Sequence, residues 1–386
     1  DSVDLRTVID TRRKGESDVF LFVAVFLLAG MGIALSYSAS AVYAMNTFGD
    51  SFYFLKRQML WFAISFMALL VFQEIDYRLY IRHTKTMLLI SIVLLALVLI
   101  PGIGHSVKGS ARWLGFGPFR LQPSEFVKLF MVIYLVKVFS SEDRGAQPSR
   151  ILVPIIVIAV MFVMIMLQPD FSTAVDLLVV SVLILFVSGF PFLYIMALFV
   201  ISIPMFYLLI YQVDYRKDRL LAFINPWEDR FGIGYHIIQS FIAFKKGGFL
   251  GVGLGYGTQK IARLPEPHTD FIFSVIAEET GMVGTVLVVG LYGFLFWRGM
   301  LVSLAAPDEF GRLLAMGLTM LIAVEAYINI AVVMGSLPTT GMPLPFISYG
   351  GSSLLSNMIA AGILLNISRY REVSHPGFKL SDEVWQ

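Results

Sequence analysis

Ten stretches of this chain are long and apolar enough to cross a bilayer as helices: 18–44, 57–75, 85–101, 123–141, 150–167, 172–189, 191–211, 271–297, 309–334 and 346–368. Spanning the hydrocarbon core takes about 20 apolar residues in a helix, within a range of about 17–25. Some runs are nearly unbroken, as from Met87 to Ile100 and from Leu177 to Val187. Alternation at the strand period is absent, which argues against a membrane β-barrel. The pattern predicts an all-α polytopic membrane protein with ten transmembrane helices in one domain, 1–386. An N-terminal segment, 1–17, precedes the first helix, and a tail, 369–386, follows the last. A long polar stretch, 212–270, separates the seventh helix from the eighth. No internal repeat is visible, and no cleavable signal segment is expected.

Composition agrees. The chain is 57% hydrophobic and 15% charged, against about 25% charged in soluble domains. With no cysteine, disulfides and thiolate metal sites are excluded. The net charge of +2 says little by itself, and no nucleic acid is expected as a partner. The distribution of charge says more. If the N-terminus lies inside, inner segments carry 15 Lys and Arg, and outer segments other than 212–270 carry six. That bias puts both termini in the cytoplasm. The 212–270 loop is then extracytoplasmic and adds eight more basic residues. Long loops escape the charge rule; the excess is either a solvated basic loop or a site for an anionic headgroup.

Ionisable groups inside spans are costly and mark function by default. Glu125 and Lys128 lie three apart near the start of the fourth span and can pair. Arg112, Trp113, Arg120 and Gln122 precede them. Arginine presents a fork of donors matched to phosphate oxygens, and tryptophan a flat face for a sugar ring or an interfacial anchor. Gln168-Pro169-Asp170 stands at an outer corner, where Asp170 can cap the sixth helix. The run KKGGFLGVGLGYGTQK lacks a P-loop's Gly-Lys-Ser/Thr and reads as backbone bending closely around something. Glu266, His268 and Asp270 crowd the mouth of the eighth span. Asp270 can cap that helix, or accept a proton from a sugar hydroxyl.

Several of these stretches occur together, and in order, in one known family. YFLKRQ (53–58), ARW (111–113), QPSEFVK (122–128), QPDFSTA (168–174), the glycine-rich run, LPEPHTDFIF (264–273) and LPFISYGGSS (344–353) resemble the shape, elongation, division and sporulation (SEDS) family of bacterial cell-wall polymerases, the FtsW/RodA group. The resemblance covers nearly the whole chain. FYFLKRQ and NPWED side with the division branch, while GTQK (257–260) sides with the elongation branch. Glu325 stands where the family usually has Gln, and no role transfers to it.

The resemblance implies ten transmembrane helices in the bacterial cytoplasmic membrane. It implies peptidoglycan glycosyltransferase activity, polymerising lipid II at the outer leaflet. The family's essential aspartate falls on Asp270, the expected base. Arg112, Arg120, Lys128 and Arg263 would meet the pyrophosphate, with Trp113, Gln122, Glu125 and His268 completing the substrate site. The sequence requires no cofactor; a divalent cation, magnesium or manganese, near Glu125 is left open. The implied partners are lipid II, membrane lipid, a class B penicillin-binding protein, and other divisome or elongasome membrane proteins. The competing readings are a lipid II flippase and a scaffold without activity.

Overall fold

The computed structural model describes residues 15–107, 110–116, 119–140, 148–232, 234–262 and 267–370. The chain opens with three helices, α1 (Val19–Phe48), α2 (Tyr53–Glu74) and α3 (Leu79–Leu99). Three short strands follow: β1 (Gly104–Val107), β2 (Ser110–Phe116) and β3 (Phe119–Leu121). Then come α4 (Pro123–Phe139), α5 (Pro148–Met166), α6 (Phe171–Val187) and α7 (Phe192–Tyr211). The 212–270 stretch holds α8 (Asp214–Ile224), α9 (Tyr235–Gly247) and α10 (Gln259–Ala262). The chain ends in α11 (Ile272–Leu304), α12 (Glu309–Val333) and α13 (Gly351–Ser368). A helix stands at each of the ten apolar stretches. Among the described residues seven are long and apolar enough to cross a bilayer, and Leu152–Met166 and Phe171–Val187 are shorter apolar helices. The protein is a polytopic, mostly helical membrane protein.

Two expectations need correction. The chain is not all helical. β1, β2 and β3 form an antiparallel meander between α3 and α4. Strands of three to seven residues are too brief for a period of two to stand out. Nor is 212–270 simply a loop, since it carries three helices. Its basic residues mask an inward face on α9, where Ile237, Ile238, Ser240 and Ala243 are buried.

Local chemistry sets the helix ends. Asp18, Asp170 and Asp308 cap α1, α6 and α12, accepting from the backbone N–H of Leu21, Thr173 and Gly311. Such side chains satisfy donors that the first turn leaves unpaired. Pro123 opens α4, where a missing N–H does no harm. At 33 residues, α11 is about 50 Å long, well over the roughly 30 Å hydrocarbon core. Gly281 breaks it at φ +64°, a conformation glycine adopts without penalty. The glycine-rich run inserts its backbone there. Val252 N donates to Glu278 O and Gly253 N to Glu279 O, both at 3.0 Å, and Met282 N donates to Gly248 O at 2.9 Å. The object this run bends around is α11 itself.

α13 lies at the centre, buried along nearly its whole length, while α7 exposes Leu193, Phe199, Ile201 and Tyr207. Exposed apolar side chains in that number suit lipid. The core also contains charge. Lys128 Nζ lies 2.5 Å from Glu325, 3.2 Å from Asp176 and 3.3 Å from Glu125, and Lys128 is 3% exposed. Asn357 of α13 donates to the second Glu325 oxygen at 3.1 Å. The cluster thereby joins α4, α6, α12 and α13.

The opposite end of the bundle has its own clasp. Tyr77 OH donates to Asp308 at 2.5 Å and Arg78 pairs with it at 2.9 Å. Asn366 accepts from Tyr77 N at 3.0 Å, and Arg298 pairs with Asp18. Burial pushes the Asp308 carboxyl up, but hydrogen bonds from Tyr77, Gly311 N and Arg78 outweigh it and hold the group below the usual range.

Two outcomes follow for stability. Lys128→Met strands three buried carboxylates, and breaking a buried pair this way costs about 3–5 kcal/mol. Its melting temperature in detergent should fall sharply, whereas Arg120→Ala, on an exposed residue, should change stability by no more than about 0.5 kcal/mol. Equal melts would show that the cluster does not hold the bundle. A depressed carboxyl stabilises the fold above its unfolded pKa, about 3.9, and that contribution is lost as pH falls through the lower folded value. Part of the wild-type loss of stability below about pH 4 should therefore vanish in Asp308→Asn, read by melts across pH.

Candidate functional site

The strand meander and α6 meet at a polar corner. Arg112, on β2, pairs with Asp170 at 3.4 Å and also donates to Pro169 O. Gln122, just before α4, donates to Asp170 at 3.1 Å and to Ser124 at 3.2 Å. Ser352, in the first turn of α13, accepts from Gln122 N at 2.9 Å, and Ser356 donates to Glu125 O at 2.9 Å. Asp170 thus does two things at once. It caps α6 and fixes Arg112 beside the helix mouth.

A second corner forms where α11 begins. Residues 268–270 lie on the segment that leads from α12 into α13. Tyr349 N donates to His268 O at 2.9 Å, Ser348 Oγ to Thr269 O at 2.6 Å, and Asn329 Nδ2 to Asp270 O at 3.0 Å. Asn329 also donates to Met342 O at 2.7 Å, which ties both segments to α12. The His268 ring packs 4.6 Å from Phe54, 5.6 Å from Tyr349 and 6.1 Å from Tyr43, centroid to centroid. The N-cap of α11 is Phe271, so Asp270 stands one residue outside the helix.

The two corners are continuous. Ser172, in the first turn of α6, donates to Thr340 O at 2.6 Å. A methyl group at Gly341 would stand 3.4 Å from Asp270 Oδ2. Arg219 of α8 donates to Thr339 O at 3.0 Å and Thr340 O at 3.3 Å. One rim therefore runs from Arg112 through Asp170, Ser172 and Thr340 to Asp270.

The glycine-rich run is held against α11 by carboxylates. Glu278 accepts from Thr258 N at 2.9 Å and Gln259 N at 3.0 Å, at the start of α10. Glu279 pairs with Lys260 at 2.5 Å and accepts from Ser38 at 2.8 Å. Both glutamates are buried, and these contacts explain why the eighth span starts with two adjacent acids.

The candidates read from sequence separate into groups. Arg112, Gln122 and Asp270 lie along the rim, with Trp113 partly buried on β2 beside Arg112 and Arg120 exposed. His268 is buried in the aromatic group, so it shapes the corner more than it faces solvent. Lys128 and Glu125 turn inward and are buried in the bundle, away from the surface on which Arg120 stands. Three carboxylates surround Lys128, and Glu125 is 4% exposed. Their proximity to Arg112 in sequence is misleading, because one helical turn beyond Pro123 already enters the bundle. Arg263 lies outside the described residues. Among the described residues, no three His, Asp or Glu side chains converge to hold a metal. Sequence reasoning missed Ser172, Ser348 and Arg219. Serines donating to carbonyls carry no spacing signal, and Arg219 was one basic residue among eight.

Several of the stretches that carry the resemblance contribute to this rim, and comparisons with known proteins agree. The cell cycle protein family model covering FtsW, RodA and SpoVE matches residues 19–373. The probable peptidoglycan glycosyltransferase FtsW of Trichlorobacter lovleyi is 44% identical over 358 residues, 92% of this chain and 94% of its own length. Stage V sporulation protein E of Bacillus subtilis is 41% identical over 362 residues, 93% of this chain and 99% of its own. A chain of a solved peptidoglycan synthase complex, described as coordinating polymerization and crosslinking, superposes with a TM-score of 0.77 at 28% identity, over 92% of this chain and 99% of that one. The rod shape determining protein RodA of Thermus thermophilus gives 0.70 at 26% identity, over 92% and 98%. Matches of this length at this identity leave one conclusion: the chain belongs to the FtsW/RodA/SpoVE family of cell cycle proteins.

Proposed function

We propose that this protein is a peptidoglycan glycosyltransferase that polymerises lipid II into β-1,4 glycan strands at the outer face of the bacterial cytoplasmic membrane. In this reading ten helices cross the membrane as one domain, α8 to α10 lie outside, and both termini are cytoplasmic. The observation that carries it is Asp270, placed on a rim that arginines share and fixed there through its own backbone carbonyl.

The chemistry is a single displacement. The C4 hydroxyl of the acceptor N-acetylglucosamine attacks the anomeric carbon of a lipid-linked donor. Asp270 takes the hydroxyl proton as the new C–O bond forms. The bond from that carbon to the pyrophosphate oxygen breaks, and undecaprenyl pyrophosphate leaves. Inversion of the α-linked donor gives the β linkage. Such a reaction needs a base and positive charge for the leaving anion. Arg112 and Arg120 stand near enough to the rim to contribute, whereas Lys128 acts from within by holding the helices together. Family membership supports a membrane partner that crosslinks the strands, a class B penicillin-binding protein, along with other divisome or elongasome proteins.

A positioned base contributes about 10²–10⁴-fold. Asp270→Asn should lower strand synthesis from labelled lipid II by that order, in detergent and with partner present, while melting as the wild type does. Wild-type synthesis by that variant would remove the assignment. Detergent also separates the flippase reading, because flipping requires two leaflets. Asn329→Ala should lower kcat with KM little changed, since a shift of about 1 Å at a reacting group can cost roughly 10²-fold. A change in KM alone would place Asn329 in binding, not in positioning.

A further inference from the structure

α8 carries two arginines on the side it turns toward the bundle. Ala222 is buried and Leu220 and Phe223 are partly buried, as an amphipathic helix requires, and Arg216 and Arg219 are partly buried with them, while Leu221 and Ile224 are exposed. The two arginines are three residues apart and share a face. Arg216 Nη1 donates to Leu209 O at 2.8 Å, and its guanidinium lies 5.1 Å from the Phe171 ring. Arg219 donates to Thr339 O and Thr340 O and lies 4.3 Å from the Tyr215 ring. Carbonyls and rings orient a guanidinium but leave its charge uncancelled. Among the described residues neither arginine pairs with a carboxylate. Arg112, by contrast, is paired with Asp170. Positive charge that no carboxylate cancels therefore stands on the α8 side of this rim as well as at Arg120.

Its position matters. Phe171 follows Asp170 and opens α6. Thr340, which Arg219 grips, precedes Gly341, the residue against Asp270. From Arg219 to the proposed base the path passes through two adjacent residues, Thr340 and Gly341. We propose that Arg216 and Arg219 form an anion subsite for the pyrophosphate of a lipid-linked glycosyl substrate, separate from the Arg112–Asp170 pair. The inference rests on the glycosyltransferase reading and extends it. Two pyrophosphate-linked molecules must meet at Asp270, and Arg120 together with an Arg112 already paired to Asp170 would serve two such anions poorly. Arginine suits the task, since its remaining N–H groups form a planar fork while others hold the backbone.

The test measures binding, so it stands apart from catalysis. Full-length protein carrying Asp270→Asn is titrated with a lipid-linked disaccharide pyrophosphate, with the corresponding monophosphate, and with inorganic pyrophosphate as competitor. Arg219→Gln keeps a donor for Thr339 and Thr340 but loses the charge; Arg219→Lys keeps the charge. A hydrogen bond to a charged group of this kind corresponds to a change of about 10- to 100-fold in affinity. The subsite predicts a loss of that size for the pyrophosphate ligand in Arg219→Gln, and also in Arg216→Gln. It predicts a much smaller loss in Arg219→Lys, little change for the monophosphate, and melts like the parent. Displacement by inorganic pyrophosphate should weaken in parallel. A donor blocked at its C4 hydroxyl and an acceptor with a non-transferable C1 phosphonate, titrated separately, show which of the two pyrophosphates occupies the subsite. Parent-like pyrophosphate affinity in both glutamine variants would overturn the proposal. So would an equal loss for the monophosphate, which would mark a structural tie. If Asp270→Asn still polymerised, the base assignment would fail while the binding comparison kept its meaning.

Discussion

Lys128 sits among carboxylates from three helices, at 2.5 to 3.3 Å, in a core that excludes water. Charges in such surroundings are tolerable only when paired and hydrogen-bonded, so α4, α6 and α12 cannot slide independently. Asn357 extends the constraint to α13 through Glu325. One turn further along α12, Asn329 holds the carbonyls of Asp270 and Met342. The same helix that closes the buried cluster therefore places the rim. Mobility in the core would be felt at Asp270 without any residue of the rim being touched.

Glu325 shows where sequence resemblance is instructive in its failure. A carboxylate in the middle of an apolar span reads as an unexplained charge. In the structure it meets the ammonium of Lys128, and the pairing is between α12 and α4, nearly 200 positions apart in the chain. No spacing rule reaches that far. The apolar helices were legible because twenty consecutive apolar residues have few other uses. The caps at Asp170 and Asp308 follow from local chemistry. The strand meander was hidden by its brevity, and the helices of the 212–270 stretch by its charge. Of the site, Asp270, Arg112 and Gln122 were readable as polar residues at the edges of spans. The inward turn of Glu125 and Lys128 was not, because a helix that enters the bundle at Pro123 decides it.

The rim itself is assembled from pieces remote in sequence. The aromatic packing of His268 on Phe54 and Tyr349 joins α2 to the segments before α11 and α13. Ser172 and Arg219 bring α6 and α8 to the same carbonyl of Thr340. Backbone carbonyls, more than side-chain pairs, are what these contacts grip. Contacts of this kind fix the backbone of the rim without using the side chain of Asp270 as a strut. The glycine-rich run serves the frame too, since Glu278 and Glu279 lock it against the kink in α11.

The account is tested most directly by a structure of the full-length Asp270→Asn protein with a lipid-linked disaccharide pyrophosphate bound. It predicts a sugar hydroxyl within hydrogen-bond distance of residue 270, the pyrophosphate on α8 at Arg216 and Arg219, and Lys128 still enclosed by its carboxylates. A pyrophosphate bound at Lys128, or at the Tyr77–Asp308 end of the bundle, would contradict it.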